Sequence, residues 1–185
     1  VAQIPVVTIS APTADQVFAI SSVDVTFSAT GSPTGYECAL DGGTASACTS
    51  TKTYTGLPDG EHTVVVSATN TAGTANSSVT FKVDTTGPQV AITSPVDGAT
   101  TGESVALDFT ATDATTSVTG TTCKLDADAA TPCTSGETYS GLTPGSHTLL
   151  VTATDAAGNT GQASTTFTVA QIPVVTISAP TADQV

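Results

Sequence analysis

Val23-Asp24-Val25-Thr26-Phe27-Ser28-Ala29 places an apolar side chain at every second position and a polar one between. A period of two fits a strand with one face on a core and the other in water. Thr63–Thr69, Val79–Val83, Val105–Thr112, Thr148–Thr154 and Thr165–Val169 read the same way. Gly, Pro, Asp and Asn cluster between these runs at turn spacing, and no stretch joins a helical period to helix caps. The chain therefore reads as all-β, with short antiparallel strands folded into β-sandwiches. With five Phe, three Tyr and no Trp, the cores must be mostly Val, Ile, Leu and Ala.

The strand runs recur because the sequence itself repeats. Val1–Val17, VAQIPVVTISAPTADQV, returns unchanged as Val169–Val185, an offset of 169 − 1 = 168 residues. Seventeen consecutive identities mark a window on a longer array of near-identical units. A weaker repeat lies inside that period. Cys38-Ala-Leu-Asp41 matches Cys123-Lys-Leu-Asp126, and Thr53–Thr63 matches Thr138–Thr148. The expected organisation is a linker at Val1–Ile4, one module over Pro5–Gly87, a second over Pro88–Ile172, and the start of a third, a copy of the first, over Pro173–Val185. Such an arrangement predicts an elongated repeat array, in which each module buries its own thin core.

Composition excludes several functions. Three Lys and no Arg stand against sixteen acids, for a net charge of −13. Nucleic-acid surfaces need basic side chains to displace counterions, so no nucleic-acid partner is expected. No apolar run is long enough to insert in a membrane within this window. The charge keeps a long polymer soluble, and the Ser- and Thr-rich surface offers positions for glycosylation.

The four cysteines form two pairs of identical spacing, Cys38/Cys48 and Cys123/Cys133. That spacing favours bridges within each module and argues against a four-thiolate metal site. Bridges imply an oxidising compartment, and hence an extracellular or cell-surface location.

The junction Val83-Asp84-Thr85-Thr86-Gly87-Pro88, the opening Ile92-Thr93-Ser94-Pro95-Val96-Asp97-Gly98 and the block Ser146–Asn159 resemble bacterial immunoglobulin-like domains of large extracellular proteins. The resemblance implies tandem Ig-like antiparallel β-sandwiches, as in adhesin stalks and surface filaments. It also implies that the B–C and F–G loops of the second module gather Asp113 and Asp155 near the linker residue Asp84, with Asp59 of the Pro58-Asp59-Gly60-Glu61 turn facing them. Four carboxylates so placed would suit calcium, which takes six to eight oxygens. Equally, aspartate belongs in such turns because it bonds local backbone N–H groups. The other junction, Ala170-Gln171-Ile172-Pro173, lacks the acids, and Asn70 stands where the second module has Asp155.

Nothing points to an enzyme. His62 and His147 occupy matching Gly-x-His-Thr segments, just before a strand, and read as turn imidazoles bonded to nearby backbone without a repeated partner set. No nucleophile–base motif and no phosphate loop is present. Three roles fit what remains: a rigid spacer or stalk, a self-assembling filament or sheath whose partners are neighbouring repeats, and a glycan- or protein-binding adhesin module. For the last, only Tyr36, Tyr54 and Tyr139 could serve as aromatic platforms.

Overall fold

The computed structural model describes residues 2–171 and 173, so the third module expected from Pro173 lies outside the described residues apart from Pro173 itself. Among the described residues every regular element is a strand. By compactness the chain forms two units. One runs to Gln89 and adds Ala111–Thr121 and Thr152–Gln162; the other takes Val90–Thr110, Thr122–Val151 and the described residues from Ala163 onward.

The first half of the chain carries β1 (Val6–Ala11), β2 (Val17–Phe18), β3 (Val23–Thr30), β4 (Gly35–Leu40), β5 (Ser46–Ala47), β6 (Lys52–Tyr54), β7 (Gly60–Asn70) and β8 (Gly73–Val83). They form two sheets, ordered β1-β3-β6 and β2-β8-β7-β4-β5. β2 lies parallel to β8, with Val17 opposite Lys82, whereas β7 and β8 make a long antiparallel hairpin from Gly60↔Val83 to Asn70↔Gly73. The second half repeats the plan with β9 (Gln89–Ser94), β10 (Ala99–Thr101), β11 (Ser104–Thr112), β12 (Val118–Leu125), β13 (Thr131–Pro132), β14 (Glu137–Ser140), β15 (Gly145–Asp155) and β16 (Thr160–Val169). Its sheets are β14-β11-β9 and β10-β16-β15-β12-β13, and β10 is again parallel to β16.

Alternation decides what enters each core. The inward row of β7 is His62, Val64, Val66, Ala68 and Asn70; that of β15 is His147, Leu149, Val151, Ala153 and Asp155, all buried. Val23, Val25 and Phe27 of β3 face the first row, with Phe81 and Val83 of β8 beside it. Val105, Leu107, Phe109, Phe167 and Val169 do the same for the second. Each fully buried Val, Leu or Phe contributes about 1.5–3 kcal/mol. Both rows thus begin on a histidine and finish on Asn or Asp, polar residues held at the two ends of an apolar stripe.

Cys38 on β4 sits opposite Val66 and is bonded to Cys48, just past β5. Cys123 on β12 is bonded to Cys133, just past β13. Two-residue strands such as β5 and β13 have too few ladder bonds to hold alone, and each bridge ties one to its sheet. Closing loops of sequence separation 10 is worth about 3 kcal/mol each in the chain-entropy account.

Candidate functional site

A histidine–aspartate pair occurs in both halves. The His62 ring places Nδ1 2.8 Å from Asp41 Oδ2 and Nε2 2.9 Å from the Pro58 carbonyl oxygen. The His147 ring repeats this with Asp126 Oδ2 at 2.7 Å and the Thr143 carbonyl at 2.7 Å. An acceptor on each nitrogen favours protons on both, and hence the imidazolium form. For His62, burial opposes the charge, but the Pro58 carbonyl and the Asp41 carboxylate outweigh it and raise the pKa above the ordinary value. For His147 the Thr143 carbonyl and then Asp126 raise it. Burial pushes Asp41 and Asp126 up, yet their histidines and the amides of Thr63 and Thr148 prevail and hold both below the usual carboxylate range.

The expected bond from each histidine to nearby backbone is present, but two parts of the reading are corrected. The histidines lie within β7 and β15 rather than before them, and their partner set repeats. The aspartates adopt left-handed backbone, φ 49° at Asp41 and 48° at Asp126, which Asp tolerates. Each also accepts the amide of the residue after its histidine, Thr63 at 2.8 Å and Thr148 at 2.7 Å. The signal was in the sequence: Cys-x-Leu-Asp and Gly-x-His-Thr recur together, with Asp and His separated by 21 residues both times.

A second cluster is acidic and lies wholly within the first compact unit. Asp84, Asp113 and Asp155 bring carboxylate oxygens within 4.8 Å of one another. Asp84 is fully buried, Asp155 is 2% exposed and Asp113 is half-buried. Each reaches its place by a local rule. Asp155 ends the inward row of β15, Asp84 follows the last buried residue of β8, and Asp113 follows β11. Asp113 Oδ1 accepts the amides of Thr115 and Thr116 at 2.9 and 2.8 Å. Asp155 accepts the Asn159 amide at 2.8 Å and its side-chain NH2 at 3.0 Å. Asp84 accepts the Thr116 hydroxyl. Among the described residues the ion pairs are those of the two histidines; Lys82 donates to the Thr115 carbonyl at 3.4 Å, beside the cluster but in no ion pair with its carboxylates. Ionised together, carboxylates at this spacing repel by about 3 kcal/mol per pair at an effective dielectric of ~20.

Asp59 is not among these three. Its Oδ1 accepts the Thr85 amide and hydroxyl, both at 2.8 Å, and its Oδ2 accepts the Thr86 hydroxyl at 3.1 Å. The Thr85 amide, above all, holds the Asp59 carboxyl below the usual range. The linker is further fixed by Asn159, whose side-chain NH2 donates to the carbonyls of Asp84 at 2.8 Å and Thr86 at 3.0 Å. Gly161 admits the linker closely, since a Cβ there would run into the Pro88 carbonyl. The three tyrosines are half-buried. Tyr36 packs on Phe27 with ring centroids 5.2 Å apart, and Tyr54 and Tyr139 lie against the two cores.

Residues 47–130 match the family described as bacterial Ig-like domain (group 3). The match takes the later part of the first sandwich and the earlier part of the second. Halomucin of Haloquadratum walsbyi (strain DSM 16790 / HBSQ001) is 39% identical over 100 residues, which are 52% of this chain and 1% of that protein's length. Three N-terminal domains of the bacteriophage RB49 highly immunogenic outer capsid protein align with a TM-score of 0.54 at 10% identity, covering 91% of this chain and 70% of theirs. Extracellular domains 3–5 of Drosophila OTK align with a TM-score of 0.53 at 13% identity, covering 90% and 62%. At such identities the structural likeness is one of fold. Strand order, the repeated plan and the structural likeness agree that this chain is built of immunoglobulin-like β-sandwiches, with its similarity to bacterial Ig-like domains lying over residues 47–130.

Proposed function

We propose that the chain is a structural repeat of a long extracellular or cell-surface protein, acting as a rigid spacer or stalk, with calcium held by Asp84, Asp113 and Asp155. The observation that carries the calcium reading is the joint burial of the acids. Asp84 and Asp155 are taken almost wholly out of water beside Asp113, and none of the three is ion-paired among the described residues. Their remaining lone pairs and nearby backbone carbonyls suit a hard divalent ion.

A comparison inside the chain supports a collective role. The equivalent places around the first sandwich hold Ala2, Gly31 and Asn70. Aspartates serving only as separate turn formers have no reason to be replaced together.

The five-stranded sheets favour the spacer over the filament through their blunt edges, while the three-stranded sheets end on the six-residue β1 and β9. The outer strands of the five-stranded sheets, β2, β5, β10 and β13, are two or three residues long, which resists strand addition by a neighbour. The disulfides support an oxidising, external location.

Calcium titration followed by calorimetry tests the site. The chain should take up one ion, and Asp113→Ala, which changes the most exposed of the three, should abolish the uptake while leaving the fold intact. Titration without heat, or binding indifferent to that substitution, overturns the calcium reading.

A further inference from the structure

We propose that the loop end of the first sandwich, built by Gly31, Asn70 and Gly73, is the docking surface for the end of a preceding copy of the second sandwich. We further propose that this joint is closed by an amide clamp that needs no cation. The contrast with a calcium-held joint rests on the function proposed above, but the clamp itself does not.

The incoming chain shows how the surface works. Asn70 Nδ2 donates to the carbonyls of Gln3 and Gly31, both at 2.6 Å. Its Oδ1 accepts the amides of Ala72 at 2.8 Å and Gly73 at 3.3 Å. One neutral side chain therefore joins the entering strand, the loop after β3 and the turn after β7. Asn159 does the matching work at the linker after β8, where it is ringed by acids. Asn70 needs none, because the places of Asp84, Asp113 and Asp155 are taken by Ala2, Gly31 and Asn70 itself. Ile4 lies over Gly73, its Cγ1 3.5 Å from where a Cβ would stand, and the Pro5 Cα lies 3.1 Å from the Cβ position of Gly31. A side chain at Gly31 would crowd the entering chain, whereas a Cβ at Gly73 would make ordinary contact with Ile4.

The occupant is identified by sequence. β16 ends at Val169, and Val169–Pro173 repeats Val1–Pro5 residue for residue. A first sandwich entered from β16 thus receives the chain that Asn70 holds here. The groove beside Gln3, Gly31, Ser32, Thr34 and Asn70 is the surface that a loop of that preceding sandwich would meet. The turn that would approach is Gly141-Leu142-Thr143-Pro144-Gly145, the counterpart of Gly56–Gly60, and it is uncharged where the counterpart has Asp59. Ile4, still 55% exposed, offers apolar surface to it.

The test is a chain of two consecutive 168-residue repeats, with the second copy numbered as the first. Spin labels on non-natural amino acids at Thr166 of the first copy and Ser28 of the second report this joint; labels at Ser78 and Asp108 of one copy report the linker after β8. The Thr166–Ser28 distance should be single and narrow with calcium and with chelator alike. It should broaden at least twofold in Asn70→Ala, and also in Ile4→Gly, which keeps the atoms of every Asn70 hydrogen bond should the first variant disturb folding. A broad distance in the unaltered chain overturns the docking surface, and narrowing only with calcium overturns the cation-free clamp. A Ser78–Asp108 distance indifferent to chelator sinks the calcium reading and leaves the clamp standing.

Discussion

The polar ends of the inward rows carry most of what is specific here. His62 and His147 hold raised pKa values in the fold, so their contribution is complete below the unfolded value near 6.5 and is lost as pH rises through the folded value. Asp41 and Asp126 hold lowered values, so theirs is present above the unfolded value of 3.8 and is lost as pH falls through the folded value. The pairs together favour the window between. The melting temperature should fall from pH 6 to pH 9, and the double variant His62→Gln, His147→Gln should flatten that slope; an unchanged slope refutes the imidazolium.

Gly161 gives a second residue-scale prediction. Gly161→Ala should cost about 1–3 kcal/mol by pushing Pro88 away. Gly120→Ala, where a Cβ meets nothing within 4 Å, serves as the control in the same denaturant titration.

At the scale of elements, the long strands were legible because alternation over seven or more residues is hard to mistake. Val23–Ala29 lies in β3, Thr63–Thr69 in β7 and Thr148–Thr154 in β15. The two-residue strands β2, β5 and β13 were not, since two residues carry no period; they exist through tertiary pairing, with a bridge adjacent to β5 and to β13. The Asp–His pairing was missed because its halves lie on separate strands, although the constant separation of 21 was available. Asp84 and Asp155 could be named from sequence, but their burial could not, because hydropathy places carboxylates in water. Reducing the disulfides should lower stability by about 3 kcal/mol for each bridge. Unfolding in urea with and without reductant checks this; equal midpoints would show that β5 and β13 hold without their bridges.

For the whole molecule, the repeat of Val1–Val17 at Val169–Val185 was the most informative reading, and the structure adds a physical sense to the inner repeat. Two sandwiches share one strand plan and differ in how the incoming chain is held. One uses Asn70 alone, the other Asn159 within Asp84, Asp113 and Asp155. A net charge of −13 disfavours lateral association of like copies. The spacer is tested most directly by small-angle scattering of one repeat and of two repeats, over a tenfold range of concentration in calcium. The account predicts concentration-independent monomers whose maximum dimension nearly doubles with the second repeat. Scattering that grows with concentration, or a maximum dimension that scarcely lengthens with the second repeat, would contradict it.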